Sequence, residues 1–332
     1  MDINKTAHHC NLTTQPLVNA IMPPVLIIEL LLGLPGNLMA LWVFCHHLQS
    51  WTPNIVYLLN LVLADFLLLV SLPFRIDHML RGENWIFGDA WCRINHFMLS
   101  VNRSASIGFM TAVAVDRYFK VVHPHHKVNF ISLRQAGAIA CIIWIVVISL
   151  RLPLLTNVLL SEKNSVCNNT IHCNNVSICR SFNSYKDPPK GIKLHYIVYM
   201  AEYFLPLMVL VFCSIRVTCI LHHCQMDKKK LKRAVRSVLV IIVIFNICFL
   251  PGIATGISGL YLQKLGNKYC DAYRLNNQLF GLSMGFTYLN STLDPFIYCF
   301  SNSLFRNEIK KSINWFGLVE LRLSCSDNAE NR

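Results

Sequence analysis

The chain alternates between long apolar stretches and short polar ones, and the apolar stretches are long enough to cross a bilayer. A hydrocarbon core about 30 Å thick needs about 20 apolar residues in helical form. Seven such runs occur, over 22–45, 54–78, 92–122, 135–157, 192–222, 234–262 and 274–300. Backbone groups cannot stay unpaired in hydrocarbon, so runs of this length predict helices. The predicted class is therefore an all-α membrane protein, a seven-transmembrane helix bundle followed by a short amphipathic helix over 301–317. An odd number of spans puts the two termini on opposite sides.

The polar segments orient the bundle. Lys228, Lys229, Lys230, Lys232, Arg233 and Arg236 crowd the loop between the fifth and sixth runs, and Arg306, Lys310 and Lys311 follow the seventh. The positive-inside rule makes both regions cytoplasmic, which leaves 1–21 as an extracellular N-terminus and 318–332 as a cytoplasmic tail. Residues 1–19 lack an apolar signal core, so the first run is expected to serve as its own insertion signal. No repeat or linker divides 22–300 into a second domain.

Composition agrees with a membrane location, with 54% hydrophobic and only 14% charged residues in 332. The net charge of +13 does not point to nucleic acid, because the basic residues are split among short loops and form no single face. Asn4, Asn11, Asn168 and Asn175 each open an Asn-x-Ser/Thr tripeptide on the extracellular side and are candidate glycan acceptors. Cys10, Cys92, Cys167, Cys173, Cys179 and Cys270 lie on the same oxidising side, enough for three bridges. Cys325, beyond an amphipathic run over 304–316, is a candidate for palmitoylation. Histidine-rich stretches at His8, His123 and His222 fall on different sides without a repeated ligand spacing, so a metal centre is not expected there. Nucleophile-elbow, zinc-protease and phosphate-loop motifs are absent, so the chain is not read as an enzyme.

Ionisable side chains at membrane depth are costly and mark function or pairing. Asp65, Arg103, Asp116, Arg117, Glu202 and Asp294 are of this kind. Asp116-Arg117-Tyr118 closes the third run, where the carboxylate can hold the arginine until a partner draws it away. Taken alone, the tripeptide fits equally an arginine snorkelling at a helix end.

In order along the chain stand Gly36-Asn37, Leu63-Ala64-Asp65, Cys92 heading the third run, Asp116-Arg117-Tyr118, Trp144, Pro206, Cys248-Phe249-Leu250-Pro251 and Asp294-Pro295-Phe296-Ile297-Tyr298. This series resembles the rhodopsin-like G-protein-coupled receptors over nearly the whole chain. It departs from the pattern at Phe249, where many members have tryptophan, and at Ser214, where many have tyrosine. A closer resemblance, to the hydroxycarboxylic acid and oxoeicosanoid receptors, rests on 97–103, 118–126, 173–179 and 286–295.

The resemblance implies that Asp65, Ser106, Asn290 and Ser291, with Asn37, surround a sodium ion. It implies that Ile107, Pro206, Phe245, Phe249 and Pro251 form a packing relay, and that Asp116, Arg117, Tyr118, Asp294, Pro295 and Tyr298 act as switch residues. Arg103 takes the position at which the family's arginine grips a ligand carboxylate, with Tyr288 as a second contact; the alternative for Arg103 is an internal ion pair with Glu202. Arg75 and Arg151 are further sources of positive charge, or else snorkelling arginines. The implied disulfides are Cys92–Cys173 and Cys10–Cys179, leaving Cys167 and Cys270 as a third pair.

The hydroxycarboxylic acid branch has another arginine where this chain has Gly256, and the small residues of 252–259 are expected to leave room for an acyl chain. The implied ligand is thus an oxidised long-chain fatty acid, with a short hydroxycarboxylic acid as the alternative. The implied partners are an inhibitory heterotrimeric G protein, arrestin and the bilayer of the plasma membrane. A transporter or channel is disfavoured because neither paired repeats nor broken helices at matching positions occur.

Overall fold

The computed structural model describes residues 15–46, 51–163, 176–179, 190–223, 228–265, 267–301, 305–307 and 311. Its helices are α1 (Pro16–His46), α2 (Pro53–Leu80), α3 (Gly88–Val122), α4 (Leu133–Arg151), the single turn α5 (Pro153–Thr156), α6 (Lys190–His223), α7 (Lys228–Leu265) and α8 (Cys270–Ser301). Seven of these are long, and they correspond to the seven apolar runs. The helices extend beyond the runs, most visibly at α7, which starts at Lys228, so the basic connection is helical rather than a loop. Residues 305–307 and 311 are also helical, within the amphipathic segment that follows the seventh span.

Local chemistry sets several ends. Thr52 precedes Pro53, whose missing N–H costs nothing in a first turn. Ser132 and Gln135 bond each other's backbone N–H in a capping box that starts α4. Between α2 and α3 the chain turns through Gly82 at φ +64° and Gly88 at φ +78°, where a side chain would be strained.

Among the described residues, five helices, α1, α2, α4, α6 and α7, are long and apolar enough by composition to cross a membrane. The outward faces carry exposed Leu31, Leu32, Ile145, Ile197 and Met208, as lipid contact requires. Polar side chains turn inward and tie helices together. Trp144 Nε1 of α4 donates to Asn60 Oδ1 of α2 at 2.8 Å, and Asn37 Nδ2 of α1 donates to the Ser291 carbonyl of α8 at 2.9 Å. Gly36 makes the α1–α8 contact close, since a Cβ there would lie 3.0 Å from Pro295 Cγ.

Outside the bundle, β1 (Leu160–Lys163) pairs antiparallel with β2 (Val176–Cys179), with Leu160 opposite Cys179. Trp85 N donates to the Ser177 carbonyl at 2.7 Å, and Ser177 N donates to Asn84 Oδ1 at 3.3 Å. This fastens β2 over the head of α3, where Cys179 is bonded to Cys92. The expected Cys92–Cys173 and Cys10–Cys179 pairings are therefore both wrong. Strand pairing carries Cys179, six residues further on, to Cys92. Cys270 is also disulfide-bonded, while Cys10, Cys167 and Cys173 lie outside the described residues.

Candidate functional site

Below β2, a cavity of about 100 Å³ opens among the helix halves nearest that strand. Arg75, Arg103, Arg151 and Tyr288, all singled out from the sequence, line it together. They come from α2, α3, α4 and α8, so the bundle gathers charges that are far apart along the chain.

Arg103 and Arg151 are 5% and 1% exposed, and buried cations of this kind need counter-charge. Both find it in Glu202 of α6. Arg103 Nη1 donates to Glu202 Oε2 at 3.0 Å, and Arg151 Nη2 is ion-paired to the same oxygen. The internal ion pair weighed as the alternative for Arg103 is thus present, and it does not exclude a ligand, because Arg103 still borders the cavity and its Nε has no partner. Arg151 is held further by Ser104, whose Oγ accepts from Nε at 3.0 Å and from Nη2 at 2.9 Å. His195 Nδ1 lies 2.6 Å from Arg151 Nη1.

The Arg103 guanidinium carbon lies over the Tyr199 ring, 3.9 Å from its centroid, and over that of Phe249 at 5.5 Å. Phe249 meets Phe245 edge-on at 5.2 Å, and Phe245 stacks on Tyr203 at 5.4 Å. Arg103, Tyr199, Phe249, Phe245 and Tyr203, on α3, α6 and α7, thereby connect the charged cavity to the bundle interior. Ile107 is buried in the same core, while Pro206 and Pro251 sit inside α6 and α7. Tyr199, Tyr203, His195 and Ser104 were missed by sequence reasoning; on long apolar helices their types carry no signal of which way they face.

Gly256 does not line the cavity. A Cβ on it would meet Met200 Cε at 3.3 Å and Phe280 Cε2 at 3.7 Å, and one on Gly252 would meet Tyr199 Oη at 2.5 Å. At Gly252 and Gly256, the space expected for an acyl chain is occupied by neighbouring side chains from α6 and α8.

Deeper in the bundle, Asp65 accepts from Ser291 Oγ at 2.7 Å and Tyr298 Oη at 3.1 Å, with Asn102 Nδ2 at 3.4 Å. Asn290 Nδ2 donates to Asp294 Oδ2 at 3.1 Å. Buried Ser106 Oγ, Asn290 Oδ1 and Asp294 Oδ1 have no hydrogen-bond partner. Unsatisfied hard oxygens beside a carboxylate are a donor set that suits a sodium ion. At the end of α3 remote from β2, Arg117 Nε lies 3.8 Å from Asp116 Oδ2, while its Nη2 donates to the Ser301 carbonyl of α8 at 3.2 Å. Lys120 Nζ competes for Asp116 at 2.8 Å. Tyr118 Oη is 3.1 Å from His123 Nε2. The candidate glycan acceptors Asn4, Asn11, Asn168 and Asn175 and the candidate acylation site Cys325 lie outside the described residues.

Residues 36–298 match the family described as 7 transmembrane receptor (rhodopsin family). Hydroxycarboxylic acid receptor 2 of Homo sapiens is 41% identical over 309 residues, which cover 92% of this chain and 81% of that protein. Hydroxycarboxylic acid receptor 1 of Homo sapiens is 39% identical over 292 residues, 87% of this chain and 79% of that one. Oxoeicosanoid receptor 1 of Homo sapiens is 37% identical over 300 residues, 90% and 74% of the two chains.

Proposed function

The chain belongs to the rhodopsin family of seven-transmembrane receptors, and from that premise we propose that it detects an extracellular carboxylic acid and signals through an inhibitory heterotrimeric G protein. It is a multi-pass receptor of the plasma membrane and not an enzyme. Its N-terminus faces outward and its C-terminus the cytoplasm, in keeping with the basic start of α7.

The observation that carries this reading is Arg103, a nearly buried guanidinium at a cavity wall, stacked directly on the aromatic chain that runs inward. A ligand carboxylate takes the arginine in place of Glu202, and the exchange alters the forces on Tyr199 and Phe249. Rearrangement of Phe249, Phe245 and Tyr203 then moves α7 relative to α3 and α6. At the cytoplasmic end Arg117 leaves Asp116 for the G protein, and arrestin uses the same opening. The oxygens of Asp65, Ser106, Asn290, Ser291 and Asp294 would hold sodium, which would supply charge compensation in the resting arrangement.

A cavity of about 100 Å³ favours a compact acid, since drug-sized pockets run about 300–1,000 Å³. The hydroxycarboxylic acid relatives are in keeping with that size. A second reading, an oxidised long-chain fatty acid, is favoured by the apolar wall of Leu99, Phe280 and Met284 and by the oxoeicosanoid relative. The test is inhibition of cyclic AMP in cells expressing the receptor, with acids from lactate to oxo-eicosanoids, against Arg103→Ala. An acid response lost in the variant is expected; a response that survives it removes Arg103 from the site.

A further inference from the structure

The cavity has two positive poles rather than one. Arg103 and Arg151 form the first, with Glu202 as their shared counter-ion. Arg75 of α2 forms the second, facing the Tyr288 hydroxyl on α8. Its Nε and Nη1 are buried and have no hydrogen-bond partner, and no described acidic side chain pairs with it. Arg75 acts on His96 and Tyr288, and Arg103 and Arg151 act on Tyr199 and His195; Tyr288 also acts on Tyr199 and His96 on His195, so the two poles border one another. Glu29 of α1 also acts on Tyr288, but it neither lines the cavity nor pairs with Arg75.

Among the described residues, three lining arginines share one paired carboxylate, which leaves two positive charges without an anion there. A single carboxylate bound at Arg103 answers one of them. The unpaired Nε and Nη1 of Arg75 remain, with the Tyr288 hydroxyl beside the same guanidinium to complete a carboxylate site. A phosphate would need its cations gathered on one point, while two poles on separate helices match two separated planar groups.

We propose that the ligand is a compact dicarboxylic acid, with one carboxylate on Arg103 and the other on Arg75 and Tyr288. This rests on the acid-receptor reading above and narrows its ligand class. The test measures cyclic AMP inhibition in cells bearing the full-length receptor with succinate, glutarate and adipate, and with the monomethyl ester of each. At neutral pH each ester differs from its parent by one negative charge and little in volume.

The best diacid is expected to be about tenfold or more potent than its half-ester, as a second charge-assisted contact implies. Arg75→Gln should bring the diacid down to the half-ester, Arg75→Lys should restore part of the gap, and Arg103→Ala should abolish both responses. Where Arg75→Gln fails to reach the cell surface, the ratio on the unaltered receptor decides. Equal potency of diacid and half-ester, both dependent on Arg103, overturns the dicarboxylate assignment and leaves the acid-receptor reading standing. Silence to all six probes overturns the dicarboxylate assignment, while monocarboxylates in the same cells decide the wider reading. Responses that ignore Arg103→Ala overturn both.

Discussion

Replacing Glu202 with glutamine should weaken the protein and strengthen its grip on an acid. One oxygen of Glu202 serves both Arg103, at 3.0 Å, and Arg151. A ligand carboxylate reaches Arg103 by displacing that oxygen. A hydrogen bond to a charged partner is worth about 1.5–3 kcal/mol, so its removal should raise acid potency roughly ten- to a hundredfold at about 1.4 kcal/mol per decade. Stability moves the other way. Two guanidiniums 5% and 1% exposed would be left facing a neutral amide, and breaking a buried pair by removing one partner costs about 3–5 kcal/mol. The assay pairs thermal unfolding of purified receptor, with and without acid, with dose–response curves in cells matched for surface level. The expected signature is a lower melting temperature without ligand, a larger rise on adding ligand, and a left-shifted curve. Unchanged or reduced potency at normal surface level would refute the idea that Glu202 competes with the ligand.

Peptide mapping under non-reducing conditions should recover Cys92 linked to Cys179, and Cys179→Ser should cost about 2–5 kcal/mol in receptor melting; a Cys92–Cys173 peptide would contradict the strand register. Gly252→Ala puts a Cβ 2.5 Å from Tyr199 Oη and should cost about 1–3 kcal/mol in melting and lower acid potency. Gly256→Ala meets the flexible end of Met200 at 3.3 Å and Phe280 Cε2 at an ordinary contact distance of 3.7 Å, and should be close to neutral, so equal effects of the two would disprove the packing argument. Asp65→Asn should remove the extra thermal stability that sodium chloride gives over choline chloride, whereas an unaltered difference places sodium elsewhere.

Much of the architecture was legible because hydrocarbon allows few solutions. An apolar run of bilayer length must be a helix, so all seven runs reappear. Helix ends were less legible. Nothing in hydropathy distinguishes membrane from the polar helix that continues it, as at the Lys228 start of α7. Arg103, Arg75, Arg151 and Tyr288 could be named because charge and family position single them out, and the bundle does bring them to one cavity. The disulfide was not legible. Cys173 and Cys179 differ only by six positions, and the choice belongs to the β1–β2 register and the Trp85 and Asn84 contacts. Gly256 misled for a related reason. A small residue opens space only if its neighbours stay away, and Met200, Tyr199 and Phe280 do not.

The stacking of Arg103 on Tyr199 and Phe249 has a consequence for what an activating molecule must be. Attraction between a cation and an aromatic face depends on the cation's net field, and an anion set against the guanidinium cancels part of that field. The rings below then feel the ligand without touching it. Efficacy would follow the sign and placement of charge, and bulk would govern only entry and fit. A neutral amide of the same shape would occupy the cavity and leave the aromatic stack as it was. Such a molecule is a blocker by electrostatics alone.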